Sequence, residues 1–407
     1  MTRRTVALAA FCLCLGVWTS CGDSESSAPA WNTTPFWKGN THTHSLWSDG
    51  DTAPEWIADW YVQQKYNFLV LSDHNILSVG DKWFPVKEGT RLTDERLKKL
   101  QDQFGKDQVE VRENGDGSLS MRLQTLPELR QRFENEGQFI FLQGEEITDG
   151  FESANIHINA FPLTEVIQPQ KGGSIVETLQ RNFDRVQEEA QRLGKPIVAH
   201  LNHPNFTWSL TWQDFAAIRH ERFFEVYNGH NSVRNYGDAD HPSTEQMWDL
   251  VNTARLREHG LPLLYGLATD DSHHYHAWGG NNTNPGRGWV MVRANELDED
   301  ALVQSMFDGD YYASTGVVLD FQQNSTAIHL RIQAEPGVSY TTEYVGTRGE
   351  QIGVVLHTTT ELESSYVLSA DDLFVRARVR SSKLHPNPFA KGDMEMAWLQ
   401  PVRGPGE

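Results

Sequence analysis

Cysteine is scarce in this sequence of 407 residues: the three present are Cys12, Cys14 and Cys21. The first two lie in an N-terminal segment that we expect to be removed, so the mature chain keeps at most one cysteine. One cysteine forms no disulfide framework, and it cannot supply a cluster of thiolate metal ligands. The fold must therefore be stabilised by its core, for which a hydrophobic content of 38% is sufficient.

Positive charge is also in short supply. The chain has 35 lysines and arginines against 55 aspartates and glutamates, and its formal net charge is −20. This charge argues against a protein that grips phosphate backbones with basic patches, so we expect no nucleic-acid partner. The acidic surplus offers carboxylates to any site that needs several metal ligands, although most of it is expected at the solvated surface.

Beyond the N-terminus, no apolar run approaches the length of a transmembrane helix. At the N-terminus, Arg3 and Arg4 precede the short apolar run Val6–Val17, which leads into Trp18-Thr19-Ser20-Cys21. This order is typical of a bacterial lipoprotein signal, which is removed from the mature protein. Trp18 stands where leucine is usual, and this leaves secretion without a lipid as the alternative.

The N-terminal pattern gives three expectations about location. Residues 1–20 are predicted to be the signal peptide, and Cys21 is predicted to carry the lipid as the first residue of the mature chain. Residues 21–35 are small and polar, which is typical of a flexible tether. We therefore expect an exported protein that is anchored to the membrane of the cell envelope through Cys21.

Short apolar runs alternate with helical patterns along the middle of the chain. One helix is predicted to begin at Pro54, and another spans residues 175–193 and ends at Gly194. Repeated strand–helix units predict an α/β fold with a parallel sheet that is closed, or nearly closed, into a barrel. The predicted strands are Phe68–Leu71, Phe139–Leu142, Ile156–Ala160, Pro196–Ala199, Phe223–Tyr227 and Leu263–Tyr265.

Two stretches depart from this alternation. Residues 78–136 are charged and contain a predicted hairpin around Asn114-Gly115-Asp116-Gly117, which indicates an insertion over the surface. From about residue 320 the apolar pattern changes to a period of two, as in a half-exposed antiparallel sheet. We therefore predict a main domain over residues 36–319 and a small β-rich C-terminal subdomain over residues 320–407.

A His-x-His pair, His42 and His44, follows the first predicted strand of the main domain. Side chains on an extended segment repeat every second residue, so the two rings point the same way. Neutral imidazole is a common ligand for zinc-like metals, and such a pair can hold one ion. Taken alone, the pair is weak evidence, and two histidines on the wet face of a strand are the more frequent case.

Further histidines and carboxylates sit where the predicted strands end. Such residues converge on one face of a barrel, where barrel enzymes place their chemistry. Ring nitrogens and carboxylate oxygens without thiols suit Zn, Mn or Fe. Their number exceeds the need of one ion and suits two or three divalent ions that share a bridging carboxylate. Besides the His-x-His pair, these groups are Asp49, Asp73, His74, Glu146, His157, His200, His203, Asp270, Asp271 and His273.

In this order the motifs resemble those of the PHP family, named for its polymerase and histidinol-phosphatase members. The resemblance covers roughly residues 36–300 and implies a distorted (β/α)7 barrel with a cluster of two or three metal ions. The bridging glutamate of that family follows a glycine by two residues, which selects Glu146 over Glu145. The matching motifs are His42 and His44 with Ser48-Asp49-Gly50, then Asp73-His74, His157, His203-Pro204, and Asp271 with His273.

The resemblance also implies which residues hold which ion. The first ion would be held by His42, His44, Glu146 and Asp271. The second would be held by Glu146, His157 and His203, and the third by Asp49, His74 and His273. Asp49 departs from the family pattern, because many members have histidine at that place.

Three later motifs resemble the secreted, carbaryl-hydrolase-like branch of the family, whose substrates are diverse. That branch also has a short β-rich tail like the one predicted here. The three motifs are Phe224-Glu225-Val226-Tyr227-Asn228-Gly229, Asp270-Asp271-Ser272-His273-His274-Tyr275 and Gly309-Asp310-Tyr311-Tyr312-Ala313-Ser314-Thr315-Gly316.

Several polar residues beside the predicted ligands are given supporting roles. Glu225 lies within an apolar strand, so it needs a partner: either the second nitrogen of a ligand histidine or a core salt bridge. His200 is a ligand, a hydrogen-bond donor to a ligand or a loop residue, and we favour the donor. Asp73 and Asp270 are expected to orient other groups, and Glu145 to be solvated or to neighbour the ligands.

Two arginines, Arg234 and Arg287, are candidates to bind a substrate phosphate, because a guanidinium matches its oxygens bidentately. An ordinary surface position is the alternative for each.

These features predict a metal-dependent hydrolase, and we favour a phosphoesterase acting on a small-molecule phosphate ester. Two ions would lower the pKa of a bridging water, and the resulting hydroxide would be the nucleophile. No G-x-S-x-G motif suggests a side-chain nucleophile. The alternative is a carboxylic ester or carbamate hydrolase on the same site. A third possibility is a metal- or ligand-binding lipoprotein without catalysis.

Overall fold

The computed structural model describes residues 31–279 and 281–405. The predicted signal peptide, Cys21 and residues 21–30 of the predicted tether lie outside these residues. The described residues from Thr33 onward make up one compact unit. None of the helices in the described ranges combines the length and apolar character that a membrane crossing requires.

The first two thirds of the chain alternate strands and helices around an inserted segment. The strands are β1 (Phe36–Asn40), β2 (Phe68–Leu71), β3 (Trp83–Val86), β4 (Val111–Glu113), β5 (Leu119–Arg122), β6 (Ile140–Gln143), β7 (Glu145–Phe151), β8 (Ala154–Phe161), β9 (Val198–Leu201), β10 (Phe223–Asn228) and β11 (Tyr265–Thr269). The helices are α1 (Pro54–Gln63), α2 (Asp94–Phe104), α3 (Leu126–Phe133), α4 (Ile175–Leu193), α5 (Trp212–Ala216) and α6 (Thr244–Ala254).

The last third of the chain is mostly β-structure. Its one helix is α7 (Glu299–Phe307). Two short turns complete the helical elements, a 3-10 turn at Phe206–Trp208 and a π-helical turn at Arg255–His259. The strands are β12 (Trp289–Arg293), β13 (Tyr311–Ser314), β14 (Leu319–Gln323), β15 (Ala327–Ile332), β16 (Tyr340–Arg348), β17 (Gln351–Thr359), β18 (Glu363–Val367), β19 (Asp372–Leu384), β20 (Met394–Leu399) and β21 (Val402–Arg403).

The strands form a mixed α/β fold with several sheets. A ten-stranded sheet has the order β17-β16-β19-β20-β13-β12-β1-β2-β6, with β21 beside β19, and a five-stranded sheet has the order β11-β10-β9-β8-β7. Two isolated bridges join their edges, Thr43 to Ser272 and His74 to Glu146. In the described ranges the strands do not close into one barrel, so the exact (β/α)7 barrel is not observed.

One edge of the five-stranded sheet explains part of this difference. Strands β7 and β8 pair antiparallel, and β8 also pairs antiparallel with β9. A short turn joins β7 to β8, and such a connection permits only an antiparallel pair. Parallel pairing, as predicted, is found between β1 and β2, β2 and β6, and β9, β10 and β11.

Local signals set the helix boundaries where the sequence predicts them. The side chain of Ser174 accepts a hydrogen bond from the backbone N–H of Glu177 and so caps α4. Gly194 ends the same helix with φ of 68°, a conformation that glycine adopts without strain. The apolar side of α4, including Leu179 and Phe183, packs with Ile158 of β8 in one buried cluster.

The inserted segment and the tail also show the predicted elements. Strands β4 and β5 pair antiparallel around the predicted hairpin, and β3 joins them in a separate three-stranded sheet. In the tail, β16, β19 and β20 extend the sheet that contains β1. The division between residues 36–319 and 320–407 stays a prediction.

Candidate metal centre

The predicted ligands are brought together by strand ends. His42 and His44 follow β1, His74 follows β2, and His203 follows β9. The backbone N–H of His44 donates to the carbonyl of Ser272 at 3.0 Å, which places the His-x-His pair beside the segment after β11. The remaining predicted ligands are Asp49 in the turn after β1, Glu146 on β7, His157 on β8, and Asp271 and His273 after β11.

The first group of donor atoms surrounds His42 and His44, which are both fully buried. Their Nε2 atoms are 3.1 Å apart, and each lies 3.2 Å from Oδ1 of Asp271. Glu146 faces the same point, with one oxygen 3.5 Å from Nε2 of His42 and the other 3.4 Å from Nε2 of His44. Three residues of the predicted first set, His42, His44 and Asp271, therefore form one donor group, and Glu146 lies beside it.

The two carboxylate oxygens of Glu146 lie near different histidines of the centre. Oε1 lies 3.0 Å from Nδ1 of His157 and 3.4 Å from Nε2 of His203. Oε2 lies 2.8 Å from Nδ1 of His74. The predicted second set is thereby divided: His203 groups with His42 and Glu146, whereas His157 groups with His74 and Glu146.

Asp49 forms the third group. Its Oδ1 lies 3.2 Å from Nε2 of His273, and its Oδ2 lies 3.5 Å from Nε2 of His74. His44 also belongs to this group, which the sequence does not predict. The Asp49 side chain is 52% exposed, so the third group is the one that opens to solvent.

The carboxylates of the centre meet histidines and no other cations. In residues 31–279 and 281–405, no lysine or arginine nitrogen lies within 4.0 Å of Asp49, Glu146, Glu225 or Asp271. Burial opposes ionisation of Glu146, but His74, His157 and His42 outweigh it and lower the pKa of Glu146 well below its usual value. The carboxylates are thus negatively charged at neutral pH.

The histidines respond to the same charges. Burial opposes protonation of His42, but Asp271, Glu225 and Glu146 raise its pKa well above the usual value. Burial likewise opposes protonation of His74, and the Glu146 and Asp49 carboxylates raise the pKa of His74 to about 11. The carboxylates thus favour protonation of His42 and His74, whereas burial and the neighbouring His273 and His74 lower the pKa of His44.

Glu225 resolves one of the alternatives left open by the sequence. Its Oε1 lies 2.6 Å from Nδ1 of His42, and Oε1 also accepts a hydrogen bond from Thr269 at 2.8 Å. Its Oε2 accepts from the backbone N–H of His203 at 2.8 Å. The partner is therefore the second nitrogen of a predicted ligand, and Glu225 fixes the orientation of that ring.

Asp73 and Asp270 orient loops rather than ligand side chains. Asp73 accepts hydrogen bonds from the backbone N–H and hydroxyl groups of Ser45 and Ser48, which fixes the loop between His44 and Asp49. Asp270 accepts from Tyr61 and from the backbone N–H groups of residues 287 and 288. Neither carboxylate points at the donor groups.

His200 is buried beside the centre without joining it. Its Nδ1 lies 3.9 Å from Oε1 of Glu225, and neither ring nitrogen forms a hydrogen bond of good geometry with the described residues. The donor role that we favoured for His200 is therefore not observed. Burial lowers the pKa of His200 to about 4, so its ring is neutral.

Burial removes one alternative for each of two other residues. Glu145 is fully buried rather than solvated, and one of its oxygens accepts from the backbone N–H of Ile167. Burial raises the pKa of Glu145 to about 7. Arg287 is also buried rather than at the surface, and its Nη1 donates to the carbonyl of Gly229 at 2.7 Å. Arg234 is exposed.

Three residues of the centre were not predicted. Asn202 donates to Oε1 of Glu146 at 2.8 Å, and Asn228 donates to Oε2 of Glu225 and to Oδ2 of Asp271. His230 packs edge to face against His273, with 5.3 Å between ring centroids. Burial lowers the pKa of His230 to about 4. All three lie at or just after the ends of β9 and β10, which is the signal that could have identified them.

Backbone strain is found at two of the proposed ligands. His203 has φ of 24° and Asp271 has φ of 46°, in the left-handed region that residues other than glycine seldom adopt. Each such conformation costs about 1–3 kcal/mol and persists where the surroundings enforce it. The backbone N–H of Asp271 donates to the carbonyl of His42, which contributes to that enforcement.

Comparisons with known proteins give one structural neighbour of interest. No protein-family model matches the sequence, and no curated protein matches it. Among solved structures, the chain is similar to a two-domain protein of Bacteroides vulgatus that contains a predicted PHP-like metal-dependent phosphoesterase. The TM-score is 0.40 at 12% sequence identity, with 91% of this chain and 97% of that chain covered.

Proposed function

We propose that this chain is a metal-dependent hydrolase of the PHP type that holds two or three divalent ions. The spacing of Nε2 of His42, Nε2 of His44 and Oδ1 of Asp271 carries the proposal. These atoms are 3.1–3.2 Å apart. Ligands bound to one tetrahedral zinc ion at about 2.0–2.1 Å are about 3.3 Å apart, so the three atoms have the spacing that a common ion requires.

Glu146 provides an independent test of whether an ion fits. Its Oε2 is buried and forms no hydrogen bond of good geometry with the described residues. Its nearest nitrogens are Nδ1 of His74 at 2.8 Å and Nε2 of His44 at 3.4 Å. A buried carboxylate is costly unless a cation faces it, and a divalent ion at the centre would provide that cation without requiring a proton on His74. Nitrogen and oxygen donors without thiols suit Zn, Mn or Fe.

The charge of the centre favours a phosphate ester as the substrate. The centre contains four carboxylates: Asp49, Glu146 and Asp271 in the donor groups, and Glu225 in contact with His42. Two divalent ions neutralise them, and a third leaves two positive charges. A dianionic phosphate monoester matches that surplus, since buried positive charge attracts it strongly. The group around Asp49, which is open to solvent, would hold the ion that decides this preference.

The ions would supply the chemistry, and residues of this chain would orient the ligands that hold them. Bound divalent ions polarise a phosphoryl oxygen and lower the pKa of water. Glu225 holds the His42 ring at a fixed angle and also accepts from the backbone of His203. Asp73 holds the loop that carries Asp49, and Asn202 holds Oε1 of Glu146.

A carboxylic ester or carbamate hydrolase on the same centre is the second candidate, and one observation favours it. The ring of Phe206 lies 5.1 Å from that of His203 and gives the centre an apolar aromatic wall. This alternative corresponds to the carbaryl-hydrolase-like branch that the sequence motifs resemble. A substrate without charge would need two ions rather than three.

The experiment is a panel of phosphatase, phosphodiesterase and esterase substrates on protein loaded with Zn, Mn or Fe. We expect hydrolysis of phosphate monoesters that a chelator abolishes and added metal restores. Hydrolysis of carboxylic esters or carbamates alone would replace the proposal with the second candidate. Metal binding without any hydrolysis would indicate the third possibility, a metal- or ligand-binding lipoprotein.

We also propose that lipid on Cys21 anchors the protein to the envelope membrane, on the sequence pattern alone. Stable anchoring needs more than one acyl chain, so several chains on Cys21 are implied. Cys21→Ser should move the protein from the membrane fraction to the soluble fraction and leave hydrolysis unchanged. Equal membrane association of the variant and the wild type would contradict the anchor.

A further inference from the structure

His230 borders the centre without belonging to any donor group. It follows β10 by two residues, and the groups of three or more candidate ligands in the described ranges do not include it. Its ring packs against the ring of His273 and against that of Phe206, which packs in turn against His203. The imidazole therefore lies at the edge of the donor groups.

Two aromatic rings hold the His230 ring in place. His273 packs against it with 5.3 Å between centroids and 78° between planes. Phe206 packs against it with 5.6 Å between centroids and 79° between planes. The Phe206 segment is itself strained, because Thr207 and Trp208 both have positive φ, of 52° and 58°. With a ring on each side, the imidazole has little freedom to rotate.

Hydrogen bonds determine which nitrogen of His230 carries the proton. The backbone N–H of Ser232 donates to Nδ1 of His230 at 3.1 Å. Nδ1 is then the acceptor, so the proton of the neutral ring lies on Nε2. The backbone N–H of His230 donates to Oδ1 of Asn228 at 2.7 Å, and the amide of Asn228 donates in turn to Asp271. The donor is thus tied to the same network that orients the proposed ligands.

We infer that His230 is a substrate-binding residue whose Nε2–H donates to a phosphoryl oxygen. The inference rests on the proposed function, because it assumes that a phosphate ester binds at the centre. It adds a protein side chain to the ions as a partner of the phosphate. A phosphoryl group bound at the donor groups of His203 and His273 would lie near the His230 ring, because that ring contacts His273 and borders His203 through Phe206. A neutral donor suits this place, because it binds that oxygen without adding a charge to repel the ions.

The test compares metal-loaded wild type with three variants. His230→Phe keeps a ring between Phe206 and His273 but removes the donor, and His230→Gln restores an amide N–H near the position of Nε2. His259→Ala is the control, since His259 is exposed on a different part of the chain. The affinity for inorganic phosphate is measured by titration calorimetry, the ion content by elemental analysis, and KM and kcat with a phosphate monoester.

We expect His230→Phe to weaken phosphate binding by about 10- to 100-fold, the usual effect of losing one hydrogen bond to a charged group. Its ion content should equal that of the wild type, and KM should rise more than kcat falls. His230→Gln should recover part of the affinity, and His259→Ala should match the wild type. A purely structural role for the ring would not give recovery with glutamine.

Two results would overturn the inference while leaving the proposed function intact. One is unchanged phosphate affinity in His230→Phe together with normal hydrolysis of phosphate esters. The other is loss of an ion in His230→Phe, which would make His230 a ligand. If the wild type neither binds phosphate nor hydrolyses any phosphate ester, the proposed function is wrong, and the inference is overturned with it.

Discussion

Two buried clusters of charged side chains can be compared in this molecule. In the first, which we call the arginine network, Arg376 of β19 forms two hydrogen bonds of 2.8 Å to Asp249 of α6. Arg378 donates to Glu245 at 2.8 Å and to Glu343 at 2.7 Å. The second cluster is the candidate metal centre, whose carboxylates face only histidines within salt-bridge distance among the described residues.

The two clusters differ in the groups that neutralise their buried carboxylates. In the arginine network, permanent cations neutralise the buried carboxylates, and bidentate geometry fixes their positions. In the metal centre, the only groups among the described residues that could carry a neutralising positive charge are rings, which are neutral near pH 7 unless the carboxylates force protons onto them. The first cluster is complete as it stands. The second needs cations from outside the chain, and its open group at Asp49 gives them access.

The largest effect is expected from the carboxylate at the middle of the centre. Glu146→Gln keeps the volume but removes the charge that offsets two neighbouring ions. We expect loss of at least one ion and a fall in turnover by several orders of magnitude, because the ions supply most of the rate. Elemental analysis and hydrolysis rates of purified protein measure both.

Glu145→Gln is the matched control for that substitution. Glu145 precedes Glu146 on β7, is equally buried, and has a pKa raised to about 7 by burial. A neutral amide should therefore replace it at little cost, with full ion content and rate. If Glu145→Gln lost the ions and Glu146→Gln kept them, the assignment at Gly144 would be wrong by one residue.

The next effect concerns the arginine network. Arg376→Met should lower the free energy of unfolding by about 3–5 kcal/mol, because it leaves buried Asp249 without its cation. Ion content should not change. Arg380→Met is the control: Arg380 is 49% exposed and 3.9 Å from Glu343, so its loss should cost under about 1 kcal/mol. Denaturant unfolding tests this, and equal losses would show that the network is not a buried pair.

A smaller loss is expected at the open edge of the centre. Asp49→Ala should empty only the third position and leave the groups around Glu146 filled. Phosphate-ester turnover should fall by about 100-fold, since one ion contributes several kcal/mol of charge stabilisation. Turnover of an uncharged ester should fall less. A parallel fall for both substrates, or loss of all ions, would contradict a separate third site.

The smallest effect, a reduced metal affinity, is expected from a substitution of Glu225, which contacts His42. Glu225→Gln leaves every proposed ligand in place but weakens the contact that orients the His42 ring. Such changes reduce metal affinity by about 10–100-fold. Competition with a chelator of known affinity measures this. An unchanged affinity would mean that Glu225 serves the fold alone.

The sequence predicts the ligand positions because strand ends converge, and one strand end brings His42 and His44 beside the segment that carries Asp271. It does not predict that β7 and β8 form a hairpin in place of a strand–helix–strand unit, since no periodic signal marks that short turn. Asn228 and His230 were missed because single polar residues at strand ends have many uses. The arginine network depends on contacts between α6 and β19, which lie far apart in the chain.

Charged residues are normally predicted to lie at the surface, and two buried residues depart from that rule. Glu145 and Arg287 are both buried, although sequence alone favours exposure for such residues. Their partners are backbone groups, the N–H of Ile167 and the carbonyl of Gly229. Only the assembled fold shows that these backbone groups are available.

Ion stoichiometry tests the central claim most directly, namely that the unbalanced carboxylates of the centre bind divalent cations. The purified chain is incubated with Zn, Mn or Fe, freed of unbound metal and analysed for elements per chain. The charges and donor groups predict two or three ions per wild-type chain and fewer in Glu146→Gln. Less than one ion per chain with every metal, or equal content in wild type and Glu146→Gln, would contradict the account.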